Sequence, residues 1–123
     1  MHSFALFSSL HRGRALAAAI ECQNPAHLAW VGVYPLDLSR ATTREFLRSR
    51  GFAIFPESGW AYHVRTFEVE RALVDTDVSL GEPDLINPKS FFAFDDDRLA
   101  ELLENLNVSL ECLELPHKSD YPI

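Results

Sequence analysis

Alternating and helical spacings of apolar residues divide the chain into short elements. The longest strand pattern runs from Trp60 to Glu70, where aromatic and β-branched residues alternate with polar ones. Its apolar side changes near Thr66, which predicts a β-bulge or bend at that point. Residues 28–34 are almost continuously apolar. Such a run is typical of a strand covered on both faces, so we expect it in the middle of a sheet.

The C-terminal third gives the clearest helix. The aromatic residues 91–94 predict a strand, and Asp95 or Asp96 is expected to cap the helix that follows. Asn107 is predicted to end this helix in the left-handed conformation, and the alternating residues 110–115 predict a final strand. The buried side of the helix is a stripe of leucines at helical spacing: Leu99, Leu102, Leu103 and Leu106.

The remaining patterns complete the predicted order of elements. Further helices are expected over residues 11–22 and 42–50, further strands over 4–7, 52–55 and 72–80, and a long loop over 81–90. The helix over 42–50 has a capping-box pattern at its start and Gly51 at its end. The chain is thus predicted to be one α+β domain, residues 1–123. It has a mixed or mostly antiparallel sheet of about seven strands and three helices, and the helices cover one sheet face.

Composition adds a core and excludes a membrane span. Hydrophobic residues make up 47% of the 123 positions, which is enough for one packed domain. No apolar run approaches the roughly 20 residues that a membrane helix needs. Arg12 and Arg14 interrupt the apolar N-terminal region, so a secretory signal is not expected and the predicted location is cytoplasmic. In that compartment Cys22 and Cys112 are expected to be buried free thiols.

The charge is distributed unevenly along the chain. The net charge is −7. Through Arg65 there are seven basic and four acidic residues, and from Thr66 onward four basic and fourteen acidic residues, so the two parts carry +3 and −10. An acidic surface of this kind repels nucleic acid and anionic membranes and attracts cationic partners. Solubility alone explains an acidic surface equally well.

Known catalytic and metal-binding patterns are missing from the sequence. There is no phosphate loop, dinucleotide fingerprint or metalloprotease helix. The pair Cys22 and His27 lacks the second pair that zinc sites usually have. Cys22 or Cys112 with His63 could form a nucleophile pair after folding, but no local signature supports it. We therefore predict no catalytic residue, no metal and no cofactor, and we expect the protein not to be an enzyme.

Charged clusters in the sequence have ordinary structural explanations. The run Asp95–Asp97 could bind a divalent cation, yet consecutive residues at a helix start point in different directions, so capping is favoured. Asp75 and Asp77 share one side of a predicted strand and read as a solvated row rather than an acid–base pair. The other cluster is an arginine stripe, which favours salt links to the acidic half over binding of phosphate: Arg40, Arg44 and Arg48.

The chain resembles bacterial immunity proteins of the contact-dependent growth inhibition type. The resemblance rests on its small, acidic character and on the layout of residues 94–99 (FDDDRL) and 119–123 (SDYPI) around a leucine-rich helix. It implies a tight complex with a cognate basic toxin domain, often a nuclease, and a monomer or weak homodimer when free. The partner-binding residues it suggests are Trp60, Tyr62, Asp75, Asp77, Glu82, Asp84, Asp95, Asp96, Asp97, Glu101 and Glu104.

Two alternatives stay open at this point. The chain could be a small enzyme or ligand-binding domain whose pocket is lined by four residues: Trp60, Tyr62, His63 and Asp75. That hypothesis predicts a deep concave pocket and a perturbed pKa of the histidine or the aspartate. Alternatively, the chain could be an oligomeric subunit that buries an exposed sheet face, which light scattering would test.

Overall fold

One antiparallel sheet organises the protein. The computed structural model describes residues 3–74, 80–116 and 121–122. The strands are β1 (Leu16–Ile20), β2 (His27–Asp37), β3 (Trp60–Glu70) and β4 (Ile86–Ala93). Each strand pairs antiparallel with the next along the chain, in the order β1-β2-β3-β4.

Helices surround this sheet. They are α1 (Ser3–Leu10), α2 (Ala41–Ser49), α3 (Arg71–Val74) and α4 (Asp96–Asn105), with 3₁₀ turns at Glu82–Asp84 and Leu110–Cys112. Over the described residues the protein is therefore α+β with four antiparallel strands and four helices. The prediction of about seven strands and three helices is wrong, because several short apolar runs pack as loops or helical turns. Within the same residues, no helix combines the length and apolarity needed to cross a bilayer.

The two central strands were predicted correctly. β2 and β3 pair along their whole length, from His27 opposite Glu70 to Asp37 opposite Trp60. The pairing of β3 with β4 shifts between Thr66 and Glu68, which confirms the irregularity predicted near Thr66. This long hairpin-like pair fixes which residues share a face, since side chains alternate along each strand.

Apolar clusters cover both faces of the sheet. On the face that we call the α4 face, buried Val31, Val33 and Val64 pack against α1 and α4. On the opposite face, which we call the α2 face, Ala61 packs against Leu47 of α2. A separate cluster around Trp30, with Phe67 and Val69, covers the rest of that face. The expectation that the helices cover one face only is therefore wrong.

The N-terminal predictions were reversed. Residues 4–7 belong to α1, and residues 16–20 form β1 instead of part of a helix. Short apolar runs do not distinguish a helix from a strand, and the alanines of β1 suggested a helix through their propensity. In the sheet, Ala17 and Ala18 are buried opposite Gly32 and Val31, so tertiary packing overrides that propensity.

Four other predicted segments also differ from the structure. Residues 52–55 form no strand, because Phe52 and Phe55 pack beside α2. The strand expected over 72–80 is replaced at its start by the single turn α3, and residues 75–79 lie outside the described residues. The predicted loop 81–90 contains the first half of β4. Residues 110–115 form a 3₁₀ turn and a single bridge from Glu114 to Ala17.

The positions of helices α2 and α4 agree with the sequence patterns. The Asp95 side chain caps α4 by accepting a hydrogen bond from the Arg98 amide at 2.7 Å. Leu99 and Leu103 of α4 are fully buried. Asn107 ends the helical segment with φ +59°. α2 begins after Arg40 without a side-chain cap, so the predicted capping box does not form.

Candidate functional site

The predicted partner-binding residues at the start of β3 and the start of α4 come together in the fold. Trp60, on β3, lies beside the three aspartates that open α4. A concavity of about 500 Å³ forms there, lined by His11, Ser58, Gly59, Trp60, Phe94, Asp95, Asp96 and Asp97. The His11 ring stacks on the Trp60 ring with centroids 6.2 Å apart and an interplanar angle of 12°. An aromatic side chain and several carboxylates thus share one hollow.

Beneath this hollow lies a hydrogen-bonded group that we call the Tyr62 cluster: His11, Tyr62 and Asp96. The hydroxyl of the fully buried Tyr62 donates a hydrogen bond to Asp96 Oδ1 at 2.5 Å. His11 Nε2 lies 3.1 Å from the Tyr62 oxygen and 3.2 Å from Asp96. Burial, and then the neighbouring carboxylate, raise the pKa of Tyr62, so its phenol stays protonated. The cluster joins β3, α4 and the turn after α1, and Tyr62 itself presents no surface to a partner.

The outer side of α4 carries exposed carboxylates. We call Asp97, Glu101 and Glu104 the acidic α4 surface, since all three are exposed. Arg98 lies 3.6 Å from Glu101 and is the only basic residue between Asp95 and Asn105. Asp95 is also exposed, although its carboxylate caps the helix. The predicted site residues of α4 therefore form one surface next to the Trp60 hollow.

The loop acids of the prediction lie apart from this surface. Glu82 forms a bidentate ion pair with Arg65, with both nitrogen–oxygen distances at 2.8 Å, and the pKa of Glu82 is lowered by that pairing. Asp84 accepts a hydrogen bond from the Gly81 amide at 2.9 Å. The carboxylate of Glu82 thus binds a residue of β3, and that of Asp84 binds its own loop. Asp75 and Asp77 lie outside the described residues.

The four residues of the alternative pocket do not all line one cavity. His63 lies on the α2 face, opposite to Trp60 and Tyr62, because neighbouring residues of a strand alternate. Its ring stacks on Phe92 with centroids 4.6 Å apart and an interplanar angle of 2°. Burial, with the charges of Arg50 and Arg65, lowers the pKa of His63 to about 4. His63 is therefore a neutral core histidine on the opposite face of the sheet from Trp60 and Tyr62.

A second polar group lies at the other end of the α4 face. We call it the Cys22 cluster: Cys22, His27 and Glu68. Cys22 belongs to the turn between β1 and β2, His27 begins β2, and Glu68 lies on β3. Glu68 lies opposite Ala29, and His27 is two residues before Ala29 on β2. Alternate residues of a strand share a face, so the side chains of His27 and Glu68 are diagonal neighbours.

The turn that carries the cluster is shaped by an asparagine. The Asn24 side-chain oxygen accepts a hydrogen bond from the Ala26 amide at 2.9 Å, an Asx turn, and Pro25 follows Asn24. The side-chain nitrogen of Asn24 then faces His27 Nε2 at 3.5 Å. The chain therefore returns at His27 with its ring directed over the sheet face.

Cys22 and His27 both contact the same oxygen of Glu68, Oε1. The Cys22 thiol donates to this oxygen at 3.0 Å, and His27 Nδ1 lies 2.9 Å from it. The possible ligand atoms of the three residues all lie within 4.8 Å of one another, and all three residues are half-buried. The hydrogen bond from the thiol, and then that from His27, lower the pKa of Glu68, while the same thiol–carboxylate bond raises the pKa of Cys22.

A cavity opens above this cluster. Its volume is about 610 Å³, and its walls include Thr66, Asn87 and Lys89 in addition to the cluster. Asn87 Nδ2 reaches Glu68 Oε2 at 3.5 Å from a backbone position with φ +50°. A small ligand or an ion could enter here, whereas α1 and α4 cover the opposite end of the same face.

Only part of this cluster gives a signal in the sequence. Cys22 and His27 are close together in the sequence, but Glu68 comes from a strand and lies 41 residues beyond His27. Only the register of β2 with β3 brings it into contact. Both cysteines are free thiols, as predicted, but Cys22 is half-buried and Cys112 is exposed, so the expectation that both are buried is wrong.

No protein-family model, curated protein sequence or solved structure matches this chain.

Proposed function

We propose that the protein is a small cytoplasmic immunity-type inhibitor that binds and neutralises a basic toxin domain, such as a nuclease. Its main support is the placement of the acidic α4 surface next to the hollow that contains Trp60. The interaction is one of protein with protein and requires no cofactor.

The charges of this surface suit a cationic partner. Asp97 and Glu104 make no ion pair within the described residues, and both are exposed. Carboxylates in this state stay solvated and keep their long-range field, which speeds the encounter with a positively charged surface. Glu82, by contrast, is neutralised by Arg65 and contributes little to such a field.

The Trp60 hollow supplies the apolar part of the proposed interface. Half-buried Trp60 is held by stacking against His11, so its position is fixed before a partner arrives. Rigid aromatic side chains in shallow hollows are typical anchors of protein interfaces, and lysine or arginine side chains pack well on an indole. A basic loop of the partner would place its cations on Asp95 to Asp97 and its aliphatic stems on Trp60.

The experiment uses the product of the reading frame immediately upstream in the native genome as the candidate partner. Its C-terminal domain, expressed as an inactive variant, is mixed with this chain, and association is followed at low and at physiological ionic strength. We expect a stoichiometric complex whose association rate falls several-fold with added salt, because screening shortens the reach of the charges.

A pair of charge-neutralised variants locates the interface. Asp97→Asn together with Glu104→Gln should slow association at low salt about five-fold or more. The matched control, Glu45→Gln together with Glu114→Gln, removes the same charge from exposed sites elsewhere and should change the rate less than two-fold. Equal effects of the two pairs, or an acidic partner surface, would rule the proposal out.

A further inference from the structure

The Cys22 cluster brings together the three kinds of ligand that transition-metal sites use most often. A thiol, an imidazole and a carboxylate converge with their ligand atoms within 4.8 Å of one another. Three protein ligands with one position left open is the arrangement of many catalytic zinc sites. The residues come from a turn and from two paired strands, so the backbone that holds them is fixed by the sheet.

The two ligand-atom distances at Glu68 are close to those of a zinc site. Zinc bonds of about 2.0–2.3 Å in a tetrahedron place neighbouring ligand atoms roughly 3.3–3.8 Å apart. The distances from Glu68 Oε1 to the Cys22 sulfur and to His27 Nδ1 are 3.0 and 2.9 Å. Separating each pair by a few tenths of an ångström would make room for a cation. The cation would displace the thiol proton of Cys22 to solvent and leave the imidazole proton of His27 on Nε2.

The ligand set also selects among cations. Calcium and magnesium prefer sites built from oxygen ligands only, which a thiolate and an imidazole do not provide. Thiolate with imidazole favours zinc and its chemical neighbours such as cobalt. On these grounds we infer that the Cys22 cluster binds a single divalent ion of the zinc class, with Cys22, His27 and Glu68 as ligands and the fourth position open to the cavity.

A cysteine nucleophile fits this geometry less well. In a cysteine–histidine pair the imidazole accepts the thiol proton directly. Here the Glu68 oxygen receives the thiol and also contacts His27 Nδ1, so the carboxylate lies between the two. A cation bound by all three groups uses this arrangement, whereas proton transfer from thiol to imidazole would have to pass through Glu68.

The open position has a defined environment. Lys89 and Asn87 line the same cavity as the three ligands. A cation and a nearby ammonium group together favour an anionic or strongly polar fourth ligand, such as water, hydroxide or a small carboxylate or phosphate. This inference concerns a different surface from the acidic α4 surface and does not depend on the proposed toxin partner.

The test is binding of Zn²⁺ and Co²⁺ to the purified, reduced and metal-free chain. We expect one equivalent to bind, and free zinc about 100-fold above its dissociation constant to raise the melting temperature by roughly 10 °C. Co²⁺ should give visible bands typical of tetrahedral coordination together with a thiolate-to-cobalt charge-transfer band in the near ultraviolet.

Substitutions assign the ligands. Cys22→Ser should abolish the charge-transfer band, and Glu68→Gln should weaken binding at least ten-fold. The matched control is Cys112→Ser, which removes the exposed thiol outside the cluster and should change nothing. If Cys22→Ser does not fold, Glu68→Gln and the cobalt spectrum of the native chain still decide. Binding that survives Glu68→Gln unchanged, that is lost in Cys112→Ser, or that lacks the charge-transfer band would overturn the inference.

Discussion

Two histidine–carboxylate groups lie on the same face of one sheet, and their surroundings give them different uses. In the Tyr62 cluster, Asp96 accepts a hydrogen bond from a fully buried phenol, and helices cover the adjoining core. In the Cys22 cluster, Glu68 accepts a hydrogen bond from a half-buried thiol, and a cavity of about 610 Å³ lies above it. A phenol kept protonated by burial holds elements together, whereas a thiol beside a cavity can exchange its proton for a cation.

The first prediction concerns how much each end of the face contributes to stability. Tyr62→Ala should lower the free energy of unfolding by about 3–5 kcal/mol, because it leaves a cavity among fully packed side chains. Thr66→Ala, in the wall of the open cavity, should cost under about 1 kcal/mol. Urea denaturation measures both. Similar losses at the two positions would contradict the distinction between a packed and an open end.

The second prediction concerns the opposite face of the sheet, where His63 should make the stability of the protein sensitive to acid. The unfolded chain protonates His63 near pH 6.5, but the folded chain does so only near pH 4. The unfolded state therefore binds more protons between these values, and stability should fall by about 2–3 kcal/mol as the pH drops from 6.5 to 4.

His63→Phe keeps the ring stacked on Phe92 and removes the titrating group. Its free energy of unfolding, measured by urea denaturation at several pH values, should lose most of the slope between pH 6.5 and 4. A slope as steep as that of the native chain would assign the acid sensitivity to other groups.

The third prediction compares the hydrogen bonds of the two clusters without changing side-chain volume. Tyr62→Phe should cost about 1–2 kcal/mol, because a buried hydroxyl bound to a carboxylate is lost. Glu68→Gln in the metal-free chain should cost about 0.5 kcal/mol or less, since the half-buried amide can be solvated from the cavity. Thermal and urea denaturation give both values. The reverse order would make the Cys22 cluster the structural one.

The smallest predicted effect sharpens the metal-binding end. With a metal on His27 Nδ1, the other ring nitrogen carries a proton that faces Asn24. Asn24→Asp keeps an oxygen for the Ala26 amide and offers a second one to this proton, so zinc affinity should rise about ten-fold. Gln23→Glu adds the same charge to the wall of the same cavity and should raise affinity much less. Competition titration against a chelator measures the zinc affinity of both variants. Equal increases in affinity would mean that the added charge, and not the hydrogen bond to His27, causes the effect.

The sequence predicted best those elements whose signals are local. The Asp95 cap, the leucine stripe of α4 and the bend near Thr66 depend on residues close together in the chain, and all three are present. β1 was mistaken for a helix, because nothing local shows that its alanines pack beneath other elements and beside β2. The first half of β4 was predicted as a loop for the same reason, since nothing local shows that this segment, with Pro88, pairs as a strand at the sheet edge.

The two clusters differ in how far they could be predicted. Tyr62 and Asp96 are both among the residues that the sequence predicts to bind a partner, and the fold brings them into contact, whereas His11 of the same cluster is not among them. The Cys22 cluster required the register between β2 and β3, which are separated by α2 and a loop. Register over such a distance is set by packing of whole strands and not by any short motif.

The most direct test of the two roles is one set of melting curves with and without Zn²⁺. Tyr62→Phe should melt lower than the native chain yet keep its full zinc-induced increase. Cys22→Ser should melt near the native metal-free value and lose the increase. A zinc-induced increase that persists in Cys22→Ser, or that disappears in Tyr62→Phe, would contradict the division of the α4 face into a structural end and a metal-binding end.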